Sequence, residues 1–201
     1  AHLAEFGITE SIGREGLSRL IDMITAGEDE RITEVTRRAM MPLVEQYRLL
    51  QDQILDLDRQ VLAWHRSSDV SKRLATIPGI GPLTASALDA SVGDASHFKN
   101  GRSFAAFIGL VPRQSSTGGK ERLGRISKRS DHYLRWLLVV GGLAVIRYAQ
   151  RHGTRRPWLL KLLQRRKSKI AAVAMANKMA RIAWVLMTRG GEYREPVTQA
   201  A

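Results

Sequence analysis

The segment from Gly109 to Lys120 places two adjacent serine hydroxyls, Ser115 and Ser116, in a glycine-rich turn. Arg113, Lys120, Arg122, Arg125, Lys128 and Arg129 stand close by in sequence, and Glu121 is the only carboxylate among them. Such a setting suits attack by a serine on a phosphodiester, because guanidinium and ammonium groups stabilise charge developing on the phosphoryl oxygens and favour the alkoxide. No histidine base is evident. The same residues also make a phosphate-binding loop whose serines merely donate hydrogen bonds, so both readings stay open at this point, as does the choice of serine. Gly118-Gly119-Lys120 is not a P-loop, since the spaced glycine and the Lys-Ser/Thr pair are absent. Nucleotide hydrolysis is therefore not expected.

A second phosphate-binding candidate is Ile77-Pro78-Gly79-Ile80-Gly81, which lies between helical patterns and has the form of a helix-hairpin-helix. Gly79 and Gly81 let the backbone turn tightly around Ile80 and approach a phosphate, and the next helix offers free N–H groups and a positive dipole end. Lys72 and Arg73 precede the turn and add charge. The plainer reading is an αα-turn with glycine caps. A basic cluster at Arg165, Arg166, Lys167 and Lys169 reads as backbone contact beside such a loop. The five histidines are scattered without metal-ligand spacing, and the basic half of the chain offers too few carboxylates for a two-metal nuclease. No metal site is assigned to this chain. Trp136, Trp158 and Trp184 lie on or beside apolar helical patterns and read as core rather than as base-stacking platforms.

These residues need elements to position them. Apolar positions at Ile32, Val35, Ala39, Leu43, Tyr47, Leu50, Ile54, Leu57, Val61 and Trp64 step by three and four, which predicts one long helix of coiled-coil type over 32–66. A kink or restart is expected at Met41-Pro42, where the register shifts and proline removes an intrahelical donor. A stripe this narrow calls for a partner helix, and self-association through 32–66 is the expectation. Arg66-Ser67-Ser68-Asp69 breaks the pattern, placing a boundary near 68–71. A short helix is predicted at Ser103–Ile108, then a loop from Gly109 to Ser130. Longer helices follow at about Asp131–Gln150, capped by Ser130 or Asp131, and at about Ser168–Thr188, stopped by Gly190-Gly191. Pro157-Trp158 marks the start of another short helix. The fold class is mainly α.

Charge gives the chain a direction. Residues 1–100 carry 11 basic and 15 acidic side chains, whereas residues 101–201 carry 21 basic and 4 acidic ones. A net charge of +13 so divided points to a polyanionic partner held by the C-terminal half, through release of counterions from a phosphate backbone. The absence of cysteine excludes disulfides and thiolate zinc sites and fits a reducing cytoplasm. The longest apolar run, Trp136–Ile146, falls short of the roughly 20 residues of a membrane helix, so no membrane partner is expected. The chain opens at Ala1 without Met, and residues 2–7 read as the tail of an element, which suggests a fragment.

Several stretches together resemble the C-terminal half of the insertion-sequence 110 family of transposases, particularly its 1111 subgroup, related to pilin-inversion recombinases. They are Ile77–Pro82, Phe98 with Phe104–Gln114, Ser116 with Gly118-Gly119-Lys120, Leu123-Gly124, Ile126–Arg129, Leu134-Arg135 and Ala176–Trp184. The resemblance covers about residues 71–190, and residues 2–8 and the long helix resemble the segment joining the family's two domains. It implies an upstream RuvC-like domain whose acidic residues bind a divalent metal such as Mg2+, a coiled-coil connector, and a transposase domain with a catalytic serine. It also implies DNA as substrate, a structured bridge RNA as guide, and a prokaryotic cytoplasm with nucleoid association. On this reading residues 1–27 are a connector, 28–70 the long helix, 71–192 the transposase domain and 193–201 a tail. The family serine precedes a Ser/Thr-Gly-Gly-Lys run, which implies Ser116 as nucleophile, with Ser115 as its neighbour and alternative. Arg113 and Lys120 would flank the phosphoryl group. Ser130 stands where the family commonly has glycine.

Overall fold

The computed structural model describes residues 2–114, 122–154 and 156–195. It is mainly helical, as the periodicity predicts. The helices are α1 (His2–Glu5), α2 (Arg14–Ala26), α3 (Glu34–Ser67), α4 (Asp69–Leu74), α5 (Pro82–Val92), α6 (Gly101–Phe107), α7 (His132–His152), α8 (Pro157–Arg165) and α9 (Ser168–Arg189). A 3-10 turn spans Ala95–His97, and two short strands, β1 (Pro112–Gln114) and β2 (Leu123–Ile126), pair antiparallel.

The chain divides into two compact units, residues 1–59 and 60–201. The division falls inside α3 and not at the sequence break near 68–71, because the last turns of that helix are tied to α4 and α5. His65 Nδ1 lies 2.7 Å from the Oγ of buried Ser71, which in turn lies 3.3 Å from Ser86 Oγ. In the first unit, Ile21 and Ile24 of α2 are buried with Leu3, Ile8, Ile32 and Val44. The helix α2 was not anticipated in the connector. α3 runs through Pro42 without a restart. Beyond Val44 it buries no residue, and Leu50, Ile54 and Leu57 stay about half exposed.

The second unit has a continuous core. Its centre is α9, whose Met175, Ala176, Met179, Ala180 and Ala183 are buried with Leu74 of α4, Leu88 of α5, Phe104 of α6 and Leu134 and Leu138 of α7. Small residues let the helices approach. A Cβ on Gly142 would lie 2.7 Å from the Ala172 carbonyl oxygen, and one on Gly141 only 1.9 Å from the Gly79 oxygen. α8 starts at Pro157, whose missing N–H costs nothing in a first turn. It lays Leu159 and Leu162 on Ile146, Ala149, Ala171 and Ala172. α9 is long and apolar enough to cross a membrane by length and composition. It escapes a search for uninterrupted apolar runs because Lys178 and Arg181 interrupt it. The tail is folded at its start: Tyr193 N–H donates to Thr76 Oγ1 at 2.9 Å, and Glu195 pairs with Arg156.

Candidate nucleic-acid interface

The segment Gly109–Ser130 contains a built stem where the sequence predicted only a loop. Pro112 pairs with Ile126 and Gln114 with Leu123, with an irregularity between them. Below the ladder, Ser127 N–H donates to the Val111 carbonyl at 3.0 Å and Lys128 N–H to the Gly109 carbonyl at 3.2 Å. Arg135 closes the base. Its side chain is buried, and Nη1 donates to the carbonyls of Ile108 (3.0 Å) and Arg129 (3.3 Å), tying both ends of the stem to α7. Gly109 has φ +78°, and a Cβ there would lie 2.4 Å from the Arg129 oxygen, so the close approach requires glycine. Lys128 and Ser130 also have positive φ, which explains why glycine suits position 130. Asp131, not Ser130, caps α7, accepting from Leu134 N–H at 2.9 Å.

The stem delivers its cations unevenly. Arg113 is exposed on β1 with Nη2 donating to the Ser127 carbonyl at 3.1 Å, so the guanidinium braces the stem. Arg122 and Arg129 are exposed. Ser115, Ser116, Lys120 and Glu121 lie outside the described residues, between Gln114 and Arg122 in the sequence.

Beside the stem, an open groove of about 1770 Å³ runs between α6, β2, α8 and α9. Its lining includes Arg125, Lys128 and Lys169, all expected from sequence, together with Arg102, Lys178 and Arg181, which were missed. No Asp or Glu is among the described lining residues. A readable signal for the two missed cations of α9 existed. Positions 170, 173, 174, 177, 178, 181, 182 and 185 form a second face of α9 at helical spacing, opposite the buried alanines. Trp158 lines the groove 38% exposed, with Lys178 Nζ over its ring at 4.7 Å. The expectation that the tryptophans are core therefore fails for Trp158, and for Trp136, which is 51% exposed beside Tyr133. Both sit on the outer face of their helices. Trp184 packs partly against the core and donates to the Ala95 carbonyl at 3.1 Å.

The hairpin from α4 to α5 is turned differently from the sequence expectation. Ile77 and Ile80 are buried, and Gly79, at φ +91°, brings its backbone against Gly141, Val145 and Met179, so this glycine serves interior packing. Gly81 is open and precedes the free N-terminus of α5. Lys72 pairs with Asp69 at 2.7 Å, holding that carboxyl below its usual range, and Arg73 Nη1 donates to the Leu186 carbonyl at the end of α9. Neither lies among the groove residues. Arg165, Arg166 and Lys167 are exposed around the α8–α9 junction, but only Lys169 of that cluster reaches the groove.

Residues 71–156 match the model of the transposase IS116/IS110/IS902 family. Over this stretch the chain is similar to the transposase domain of that family. It is 45% identical over 194 residues to a probable family 20 transposase of Pseudomonas aeruginosa, an alignment covering 96% of this chain and 57% of the relative. It is 38% identical over 193 residues to the transposase for insertion sequence element IS1111A of Coxiella burnetii, covering 96% and 53% respectively. A shorter likeness, 38% over 77 residues, links it to a pilin gene-inverting protein of Moraxella bovis, covering 33% of this chain and 22% of the relative. The chain spans about half the length of the first two. The matched stretch holds the hairpin, the stem and α7. The α8 and α9 walls of the groove lie beyond it, within the longer alignments.

Proposed function

We propose that this chain handles DNA in a transposition or recombination reaction, with Ser116 as the nucleophile. The serine oxygen forms a bond to a backbone phosphorus as the bond to one deoxyribose oxygen breaks. The departing hydroxyl takes a proton, and the phosphoserine linkage conserves the energy for rejoining a strand. The observation that carries the reading is the β1–β2 stem: anchored at both ends by Arg135, it stands next to a groove lined by six cations and by no described carboxylate, and Ser116 falls between its two strands in the sequence. Arg113 and Lys120 are assigned to the phosphoryl group, and Gly81 with the α5 N-terminus to a backbone phosphate. Ser115 is the alternative nucleophile, and a noncatalytic helix-hairpin-helix module that only binds DNA or RNA is the second reading.

Among the described residues no three His, Asp or Glu side chains gather to hold a metal ion. The divalent metal implied by the family resemblance is assigned to an acidic RuvC-like domain in a longer form of the protein, and no step here runs through it. Guidance by a structured RNA and self-association through 32–66 belong to the same proposal.

The test uses the protein joined to that acidic domain. Ser116→Ala should abolish strand exchange and the trapping of a covalent adduct on a suicide substrate, while DNA binding and fold change little, because one hydroxyl contributes only about 1 kcal/mol of hydrogen bonding. Ser115→Ala should retain much of the activity. Exchanged outcomes make Ser115 the nucleophile, and normal recombination by both variants leaves the loop as a phosphate clamp only.

A further inference from the structure

We propose that the groove bounded by β2, α8 and α9 binds DNA as a single strand, with bases on its apolar floor and on Trp158 and phosphates on its cationic rim. The inference rests on the DNA-handling reading above and specifies the form the DNA takes at this surface. The floor consists of Ile170, Val173, Ile182 and Val185, with Ile170 54% and Val185 37% exposed. A duplex turns its phosphates outward and would lay charge against these aliphatic side chains, desolvating both without a partner. An unpaired strand instead offers base faces to the floor and to an indole, and it keeps its backbone free to follow a line of cations.

The rim fits that geometry. Arg125 and Lys128 stand on the stem side, Lys169, Lys178 and Arg181 along α9, and Arg102 on α6. The α9 cations share a face with the aliphatic floor residues, so cation and apolar contact alternate along the helix. Lys178 is both an ammonium on the rim and the group that holds the Trp158 ring. A lining with six cations and no described carboxylate favours a polyanion over a protein segment of mixed charge. Deoxyribose suits this floor better than ribose, whose 2′-hydroxyl would be buried against valine and isoleucine without a hydrogen-bond partner.

The experiment measures binding of the full chain to end-labelled oligo(dT), oligo(U) and a mixed-sequence duplex of equal length, by fluorescence anisotropy across a salt series. Oligo(dT) should bind more tightly than the duplex. Trp158→Ala should weaken oligo(dT) roughly tenfold and leave the duplex unchanged, with Trp158→Phe close to the parent. Arg181→Gln should lower the slope of log K against log salt for oligo(dT) by about 0.7, the value for one lost phosphate contact on a single strand. Circular dichroism melts of each variant check folding, and the Phe and Gln substitutions keep the test alive should Trp158→Ala unfold. Equal or tighter binding of duplex, with all variants alike, overturns the single-strand assignment and leaves the DNA-handling reading standing. Tighter binding of oligo(U) overturns it in favour of RNA. Variants that change the sedimenting mass without changing oligonucleotide affinity overturn it in favour of a protein occupant. No binding of any of the three probes at low salt removes the nucleic-acid reading itself.

Discussion

Two long helices in this chain put their apolar residues to opposite uses. α9 buries alanines and methionines and packs against α4, α6, α7 and α8, whereas the distal part of α3 holds Leu50, Ile54 and Leu57 about half in water. Small side chains permit close helix approach within one fold, where a Cβ more or less decides whether the backbones fit. Large branched ones at heptad spacing gain little until a second helix covers them. Mean apolarity therefore does not tell a helix buried in a core from one whose apolar stripe stays half exposed; residue size and periodicity do.

Close packing of backbones is most vulnerable where α7 meets the hairpin. Gly141→Ala places a methyl 1.9 Å from the Gly79 oxygen, so α7 and the hairpin must separate, and a loss of about 3 kcal/mol or outright misfolding is expected in urea denaturation. An unaltered midpoint would mean that the α7 and hairpin backbones are not in contact. On α3 the opposite holds. Replacing Leu50, Ile54 and Leu57 together by serine should leave the melting of residues 60–201 unchanged and weaken self-association about 100-fold, read by sedimentation equilibrium. A chain that is monomeric before the substitutions places the partner helix elsewhere.

A smaller effect is expected at the stem. Arg135→Leu removes the donor to the carbonyls of Ile108 and Arg129, and leaving them unpaired in the interior should cost about 2 kcal/mol. Hydrogen exchange should quicken first at the Ser127 and Lys128 amides, which bond across the base of the stem. The smallest effect concerns Glu195. Its hydrogen bond from Arg156 holds the carboxyl below the ordinary value of 4.5, so the pair's contribution is present above that pH and is lost as pH falls through the lowered folded value. The side chain is 44% exposed, and the contribution is correspondingly screened to about 0.5 kcal/mol or less. A shift of the Tyr193 amide resonance on acidification, absent in Glu195→Gln, checks it.

Much of the frame was legible along the chain. The stop of α9 before Gly190-Gly191, the start of α8 at Pro157 and the long helix over residues 34–67 each follow from local signals: a cap, a proline, a period. The choice between a kink and a restart at Pro42 was not, because adjoining helical turns outweigh one lost hydrogen bond and keep the helix continuous, a balance that a single residue does not display. The β1–β2 stem was hidden as well, since three or four residues carry too little alternation to read as strands, and their pairing depends on Arg135, which lies beyond both.

The amino-acid order by itself determined that cations gather in the C-terminal half, that hydroxyls stand among them, and that the motifs resemble those of transposases, because composition and motif spacing are properties of the chain. Only the tertiary structure decided which cations act together. Lys72 and Arg73 are spent on Asp69 and on the end of α9, while Arg102 and Arg181, 79 positions apart, line one groove with Arg125. Charge is fixed by sequence, but the field a phosphate meets depends on distance, and the packing of α6 on α9 sets that distance.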